Sequence, residues 1–294
     1  MAIDLLEERL HFYRPLIEKR LEDLLPEQPG MPQNELFKAA RYSAIEGGGK
    51  RLRPLMTLLT TEAFKGSYEK ALTPACALEM IHVFSLIHDD LPGMDNDDFR
   101  RGKPTLHKLY KEGHAILTGD YLLNYAYEII VNDGLLSTDQ KLAIMKALTS
   151  YTGAEGMIGG QVIDLASEGQ MIPYPLLMQM DLMKTAALFV AALEIGAVIS
   201  GLTQKEISLL KEFGQAIGLA FQIVDDVLDA TDPKFEESSD NVKAKATYVS
   251  LLGLEEAKMY AEGLLSEAEK VLEKLSHDTA ILNLLARKLI HRSV

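Results

Sequence analysis

Leucine, alanine, methionine and isoleucine return every three or four positions through most of the chain, and period-two alternation of β-branched residues is hard to find. The pattern predicts an all-α protein, with helices over 2–25, 33–46, 51–66, 70–90, 114–132, 138–152, 154–167, 173–201, 204–229, 247–274 and 278–291. Gly30, Gly66, Gly102 and Gly201 fall near breaks, and Asp181 and Thr203 read as polar helix starts. Two stretches, 75–88 and 213–224, are apolar for several turns, which puts their helices in the middle of a bundle. No Pro/Gly/Ser-rich linker or charge block divides the 294 residues, so one domain over 1–294 is expected.

Both apolar stretches run straight into acids: Asp89-Asp90-Leu91-Pro92-Gly93-Met94-Asp95 after the first, Asp225-Asp226-Val227-Leu228-Asp229 after the second. Carboxylates at a helix C-terminus oppose the macrodipole, and in an apolar neighbourhood they also repel one another and lose hydration. Cations among the charges relieve all three penalties, so two such clusters imply a multi-metal site. Hard oxygen donors without cysteine or histidine favour magnesium, which keeps waters and completes its shell with phosphate oxygens. A diphosphate site follows. Asp225 and Asp229 are four apart, on one helix face and about 6 Å along its axis. Asp89 and Asp95 are six apart, but Pro92-Gly93 should break the helix and bring Asp95 back from a loop.

Composition narrows the alternatives. Forty-three acids against 30 bases give a net charge of −13, which argues against a nucleic-acid partner. Cys76 is the only cysteine, so no intrachain disulfide forms, and a reducing cytoplasm suits the chain. Cys76 itself reads as a small buried hydrophobe. The N-terminus lacks a basic region followed by an apolar one, and no later stretch reads as long and uncharged enough for a membrane span.

Basic residues cluster near the acids. Arg100 and Arg101 follow the first cluster closely enough to contact the same anion, with intraloop pairing to Asp97 or Asp98 as the competing reading. Upstream, Gly47-Gly48-Gly49-Lys50-Arg51-Leu52-Arg53-Pro54 joins a glycine run to three basic side chains, a possible anion cradle or else a flexible connector. It lacks P-loop spacing, and no strand precedes it. His82 lies two helical turns before Asp89 on nearly the same face, either beside a ligand or as a structural histidine.

In order and approximate spacing, Gly48 to Pro54, His82, Asp89-Asp90 to Asp95, Arg100-Arg101-Gly102, Gly160-Gln161 to Asp164, Lys184-Thr185, Phe221-Gln222 to Asp229, and Lys245 resemble the trans-isoprenyl diphosphate synthases, and most closely the bacterial farnesyl diphosphate synthases. The resemblance runs from about residue 35 to the C-terminus. It implies a homodimer of isoprenoid-synthase-type helical bundles, each around a deep central cavity, with the two acidic clusters facing across its mouth. It assigns Asp89, Asp95 and Asp225 to three magnesium ions, with Asp90, Asp226 and Asp229 in support. Arg100, Lys184, Thr185, Gln222 and Lys245 would serve the allylic diphosphate (dimethylallyl, then geranyl). Lys50, Arg53, His82 and Arg101 would hold isopentenyl diphosphate without metal.

Phe84, about 7 Å below Asp89 on a helix, would be the floor that stops growth at fifteen carbons, with Ser85 beside it. Core packing is the competing role for Phe84. The segment between Asp229 and Thr247 reads as shorter than in most relatives and lacks their Gly-Lys pair, and Ala186 replaces a frequent glycine. Alternatives are a geranyl or geranylgeranyl diphosphate synthase, a terpene cyclase, which would not need Lys50, Arg53 and His82, and a non-catalytic prenyl-diphosphate-binding regulatory subunit.

Overall fold

The helices expected from periodicity form wherever apolar residues can be buried on several sides at once. A computed structural model of the protein describes residues 2–231 and 246–292. In chain order the elements begin with α1 (Ala2–Leu24), α2 (Asn34–Arg41) running into a wide π-turn at Tyr42–Glu46, α3 (Leu52–Ala63) and α4 (Tyr68–Asp89). A two-stranded hairpin, β1 (Phe99–Arg100) and β2 (Lys103–Pro104), and short α5 (Leu106–Leu109) lead to α6 (Glu112–Val131), α7 (Thr138–Thr152) and α8 (Met157–Ser167). Next come α9 (Tyr174–Asp181), a second π-turn at Leu182–Ala186 and α10 (Ala187–Ile199), then α11 (Gln204–Thr231). The remaining helices are α12 (Tyr248–Leu252), α13 (Leu254–Leu272) and α14 (Ala280–Ile290).

The most apolar helix is the hub: α10 packs against α3, α4, α7 and α11. Gly196 lets it approach α3, because a Cβ there would sit 2.7 Å from Thr60 Cβ and 2.8 Å from the Thr57 carbonyl. α4 is clasped between α3 and α6, while α11 lies along α13. The ends of α4 and α11, which carry the acids, are thereby fixed by the core rather than by loops.

Several expectations are corrected. The 247–274 helix is two, because Gly253 at φ 89° breaks it. Asp181 does not start a helix; it ends α9 where a π-turn passes into α10 without leaving helical geometry. Thr203 does cap α11, exchanging bonds with Glu206. Helices over 68–89, 174–199 and 204–231 are long and apolar enough to cross a membrane by composition, contrary to expectation. Burial within the bundle accounts for that apolarity, since 72%, 67% and 56% of their most apolar windows are covered by other elements.

Candidate active site

The first acidic cluster sits where α4 stops. Pro92 and Gly93 turn the chain so that the Asp95 amide donates to the Asp89 carbonyl at 2.8 Å, and Asp95 returns towards Asp89. Burial pushes the Asp89 carboxyl up to about 6, with Lys184 and Arg100 pulling it down and Asp95 and Asp90 pushing it further up. Asp90 differs from Asp89: its Oδ1 accepts from Arg100 Nε at 2.7 Å and lies 2.6 Å from the Arg100 terminal nitrogen. Arg100 also reaches Asp97 at 3.6 Å, and Lys108 pairs with Asp98 at 2.6 Å. The intraloop pairing weighed from sequence therefore holds for Arg100, with Asp97, but not for Arg101.

The second cluster lies on α11. Asp226 accepts from Gln222 Nε2 at 3.1 Å and from the Tyr248 amide, at the start of α12, at 2.9 Å. Burial still raises it to about 7. Thr185 Oγ1 donates to Gln222 Oε1 at 3.0 Å, which orients the amide and joins the second π-turn to α11. Burial also raises Asp225, against the pull of Arg292, whose guanidinium donates to Asp225 Oδ1 at 2.5 Å and stacks 3.8 Å over the Phe221 ring. Lys50 contributes to the field at Asp225.

Lys184 connects the first cluster to Asp164 and Asp181. It donates to Asp164 Oδ2 at 2.6 Å, and its charge acts both on Asp89 and on Asp181. Burial beside Asp226 lifts Asp181 to about 8. Asp164, Asp181, Lys184, Thr185, Gln222 and Asp226 share the wall of a cavity of about 180 Å³.

A separate basic group gathers behind the first cluster. Burial and the charges of Arg53, Arg101, Arg100 and Arg51 push the His82 imidazole well below its usual value, so it is neutral at pH 7. Burial lowers Arg53 to about 10; its Nε is sealed from water without a partner, and its guanidinium lies 5.6 Å over Phe189. Arg101 donates to the Gly48 carbonyl and Lys103 to the Glu46 carbonyl, pinning the hairpin on the glycine loop. Arg51 points the other way, its side chain wholly buried against Glu18 and Glu79.

Phe84 is 7% exposed and meets His88 edge-on, ring centres 4.9 Å apart. Ser85 donates to the His82 carbonyl of its own helix at 2.8 Å, so its hydroxyl is already satisfied. Lys245 lies outside the described residues, as does most of the segment read as shortened. Sequence reasoning gave no role to Asp164, Tyr248 or Arg292 and took Asp181 for a helix start. The spacing of Asp164 after Gly160-Gln161 was a signal for the first; nothing local marks Arg292.

Among the described residues no three acid, cysteine or imidazole groups form a protein-only metal cage. The donors nevertheless fit magnesium. They are hard carboxylate oxygens, burial raises Asp89 and Asp225 even against nearby cations, and on Asp225 a guanidinium supplies the positive charge that a cation would bring. Water and substrate oxygens would complete such a shell.

The chain resembles known proteins along nearly all its length. It is 45% identical over 244 residues to a chloroplastic geranylgeranyl pyrophosphate synthase of Capsicum annuum, matching 81% of this chain and 66% of that protein. It is 42% identical over 286 residues to a dimethylallyltranstransferase of Fischerella ambigua, matching 95% and 82%. A crystal structure of an FPP/GFPP synthase from Zymomonas mobilis superposes with a TM-score of 0.89 at 39% identity, covering 99% of this chain and 100% of that one. A geranyltransferase from Legionella pneumophila gives 0.86 at 32% identity, covering 99% and 98%. The polyprenyl synthetase profile matches residues 33–285, and the chain belongs to the polyprenyl synthetase family.

Proposed function

We propose that this chain is a short-chain trans-prenyltransferase that joins isopentenyl diphosphate to an allylic diphosphate. One observation carries the reading: the charge of Lys184 acts on Asp89 of the first cluster while its side chain shares a cavity wall with Asp226 of the second, and a separate basic group forms around His82. Two anions of different chemistry thus find two differently built sites. Asp89, Asp95 and Asp225 would hold magnesium, three ions by family resemblance, with Asp90, Asp226 and Asp229 in support. Bound magnesium would stabilise the departing diphosphate as the allylic carbon–oxygen bond ionises.

The chain's own groups do the rest. Lys184 and Arg100 bind the leaving diphosphate, each exchanging a carboxylate partner for phosphate oxygen. Lys245 would add a further cation. Gln222, aligned by Thr185, turns its amide dipole towards the allylic cation without offering a nucleophile. Lys50, Arg53, His82 and Arg101 hold isopentenyl diphosphate so that its double bond lies against that cation. Neutral His82 donates one ring N–H. The proton lost after bond formation goes to a diphosphate oxygen.

Phe84 below Asp89 supports a fifteen-carbon product. A twenty-carbon product is the second reading, favoured by the names of relatives such as the Capsicum protein. Exposed Leu109, Ile116 and Leu117 on α5 and α6 support a homodimer, and the acidic surface and buried Cys76 suit the cytoplasm. The test is to incubate purified protein with magnesium, isopentenyl diphosphate and each allylic primer separately, then measure product length. Condensation is expected with dimethylallyl and geranyl diphosphates. No condensation with any primer would sink the catalytic reading in favour of a non-catalytic prenyl-diphosphate-binding subunit.

A further inference from the structure

Arg51 sits between two residues proposed to bind isopentenyl diphosphate, Lys50 and Arg53, yet its own guanidinium never reaches that site. Its side chain is fully buried and spends every nitrogen on protein partners. Nε and one terminal nitrogen grip both oxygens of Glu18 on α1, at 2.7 and 3.1 Å. The other terminal nitrogen donates to Glu79 on α4 at 2.9 Å. The backbone carries the cost of this arrangement, since Arg51 adopts φ 52°, the left-handed region that a non-glycine residue enters only when its surroundings hold it there.

The consequence for the flanking residues is geometric. A left-handed residue just ahead of α3 turns the chain sharply, so Arg51 dives inward while Lys50 stays exposed and Arg53, two residues on, lies by Phe189. Charge adds a second effect. One guanidinium between two carboxylates leaves a net negative unit beneath the site, and Glu79 acts on both Arg53 and Arg101, easing the repulsion among the converging cations.

We propose that Arg51 is a positioning residue for the isopentenyl diphosphate site: its fork to Glu18 and Glu79 sets the backbone from which Lys50 and Arg53 present their charges. The proposal rests on the functional reading above. Lysine cannot replace it, because a single ammonium has no planar fork to serve two carboxylates from different helices.

Two variants test it, Arg51→Lys and Glu18→Gln; the second removes a partly exposed partner and keeps the protein foldable should the first not fold. Binding of isopentenyl diphosphate without magnesium is measured by calorimetry, alongside steady-state kinetics and thermal melting. Each folded variant is expected to weaken that binding, and to raise the corresponding KM, by about tenfold, the loss of one charge-assisted hydrogen bond. The KM for the allylic substrate, the magnesium dependence and kcat at saturating isopentenyl diphosphate should stay within about twofold of wild type, well inside that single-bond effect. Folded Glu18→Gln protein that binds isopentenyl diphosphate like wild type, or that loses both substrates equally, overturns the positioning role. Wild-type protein that fails to bind isopentenyl diphosphate brings down the functional reading instead, before any variant is compared.

Discussion

Replacing Phe84 by alanine should lengthen the product. The ring lies five residues before Asp89, about 7.5 Å along α4, and the next large side chains on the same face are Ile81 and Met80, about 4.5 and 6 Å deeper. That interval is room for one further five-carbon unit, after which Ile81 and Met80, both fully buried, become the new floor. A largely twenty-carbon product is therefore expected rather than an unlimited ladder. Removing a ring that is 7% exposed and packed on His88 costs ~3 kcal/mol, at the low end for such a change because one side of the ring would border the substrate chamber. Melting should drop by roughly 6–12 °C, so the assay is run at 25 °C on protein shown by circular dichroism to be folded. Isopentenyl diphosphate and geranyl diphosphate are supplied with magnesium, and the dephosphorylated products are separated by chain length. A folded variant with an unchanged product distribution would refute the floor. A wild-type product already at twenty carbons would place the stop deeper than Phe84.

Three other outcomes are expected. Asp89→Ala should lower turnover by orders of magnitude with the far-ultraviolet spectrum unchanged, and wild-type turnover would reject its assignment to metal. Metal-free protein should lose stability as pH rises: Asp89, Asp226 and Asp181 have folded pKa values of about 6, 7 and 8 against an unfolded value near 3.8, so their contribution is complete below about pH 4, falls as pH rises through each folded value and is gone above about pH 8. Asp89 alone accounts for about 2 kcal/mol after allowance for partial exposure, and denaturant titrations that are flat across this range would contradict the burial argument. Gly160→Ala should cost ~1–3 kcal/mol and weaken allylic-substrate binding, because its Cβ would lie 2.4 Å from the Lys184 amide nitrogen, backbone that cannot swing aside; an unshifted melting curve would exclude that clash.

Regular helical burial was legible in the sequence because it repeats locally: the cores of α4, α10 and α11 could be read from spacing alone. The acids were legible for the same reason, being abrupt charges at the ends of apolar runs. Partnerships across the fold were not. Arg51 looks like one of three equivalent cations in its stretch, and only the approach of Glu18 and Glu79, 33 and 28 positions away, turns it inward. Arg292 meets Asp225 across 67 positions, a pairing no periodicity encodes. Asp181 read as a helix start because acids favour first turns, whereas here a π-turn follows it and burial keeps it beside Asp226. The hairpin at 99–104 was missed because each strand is two residues long, too short for alternation to register.

The wide turn at Leu182–Ala186 has a further consequence, for what deletions this helix tolerates. One surplus residue advances the screw by about 100°, so the stripe that seats α9 and the stripe that seats α10 are out of phase by design. Single-residue gaps elsewhere can be absorbed by loops. Here, trimming any one position would let the rod heal into ordinary α-helix and rotate one half against the other. Either Lys184 would leave the chamber or eleven buried residues of α10 would lose their register with the hub.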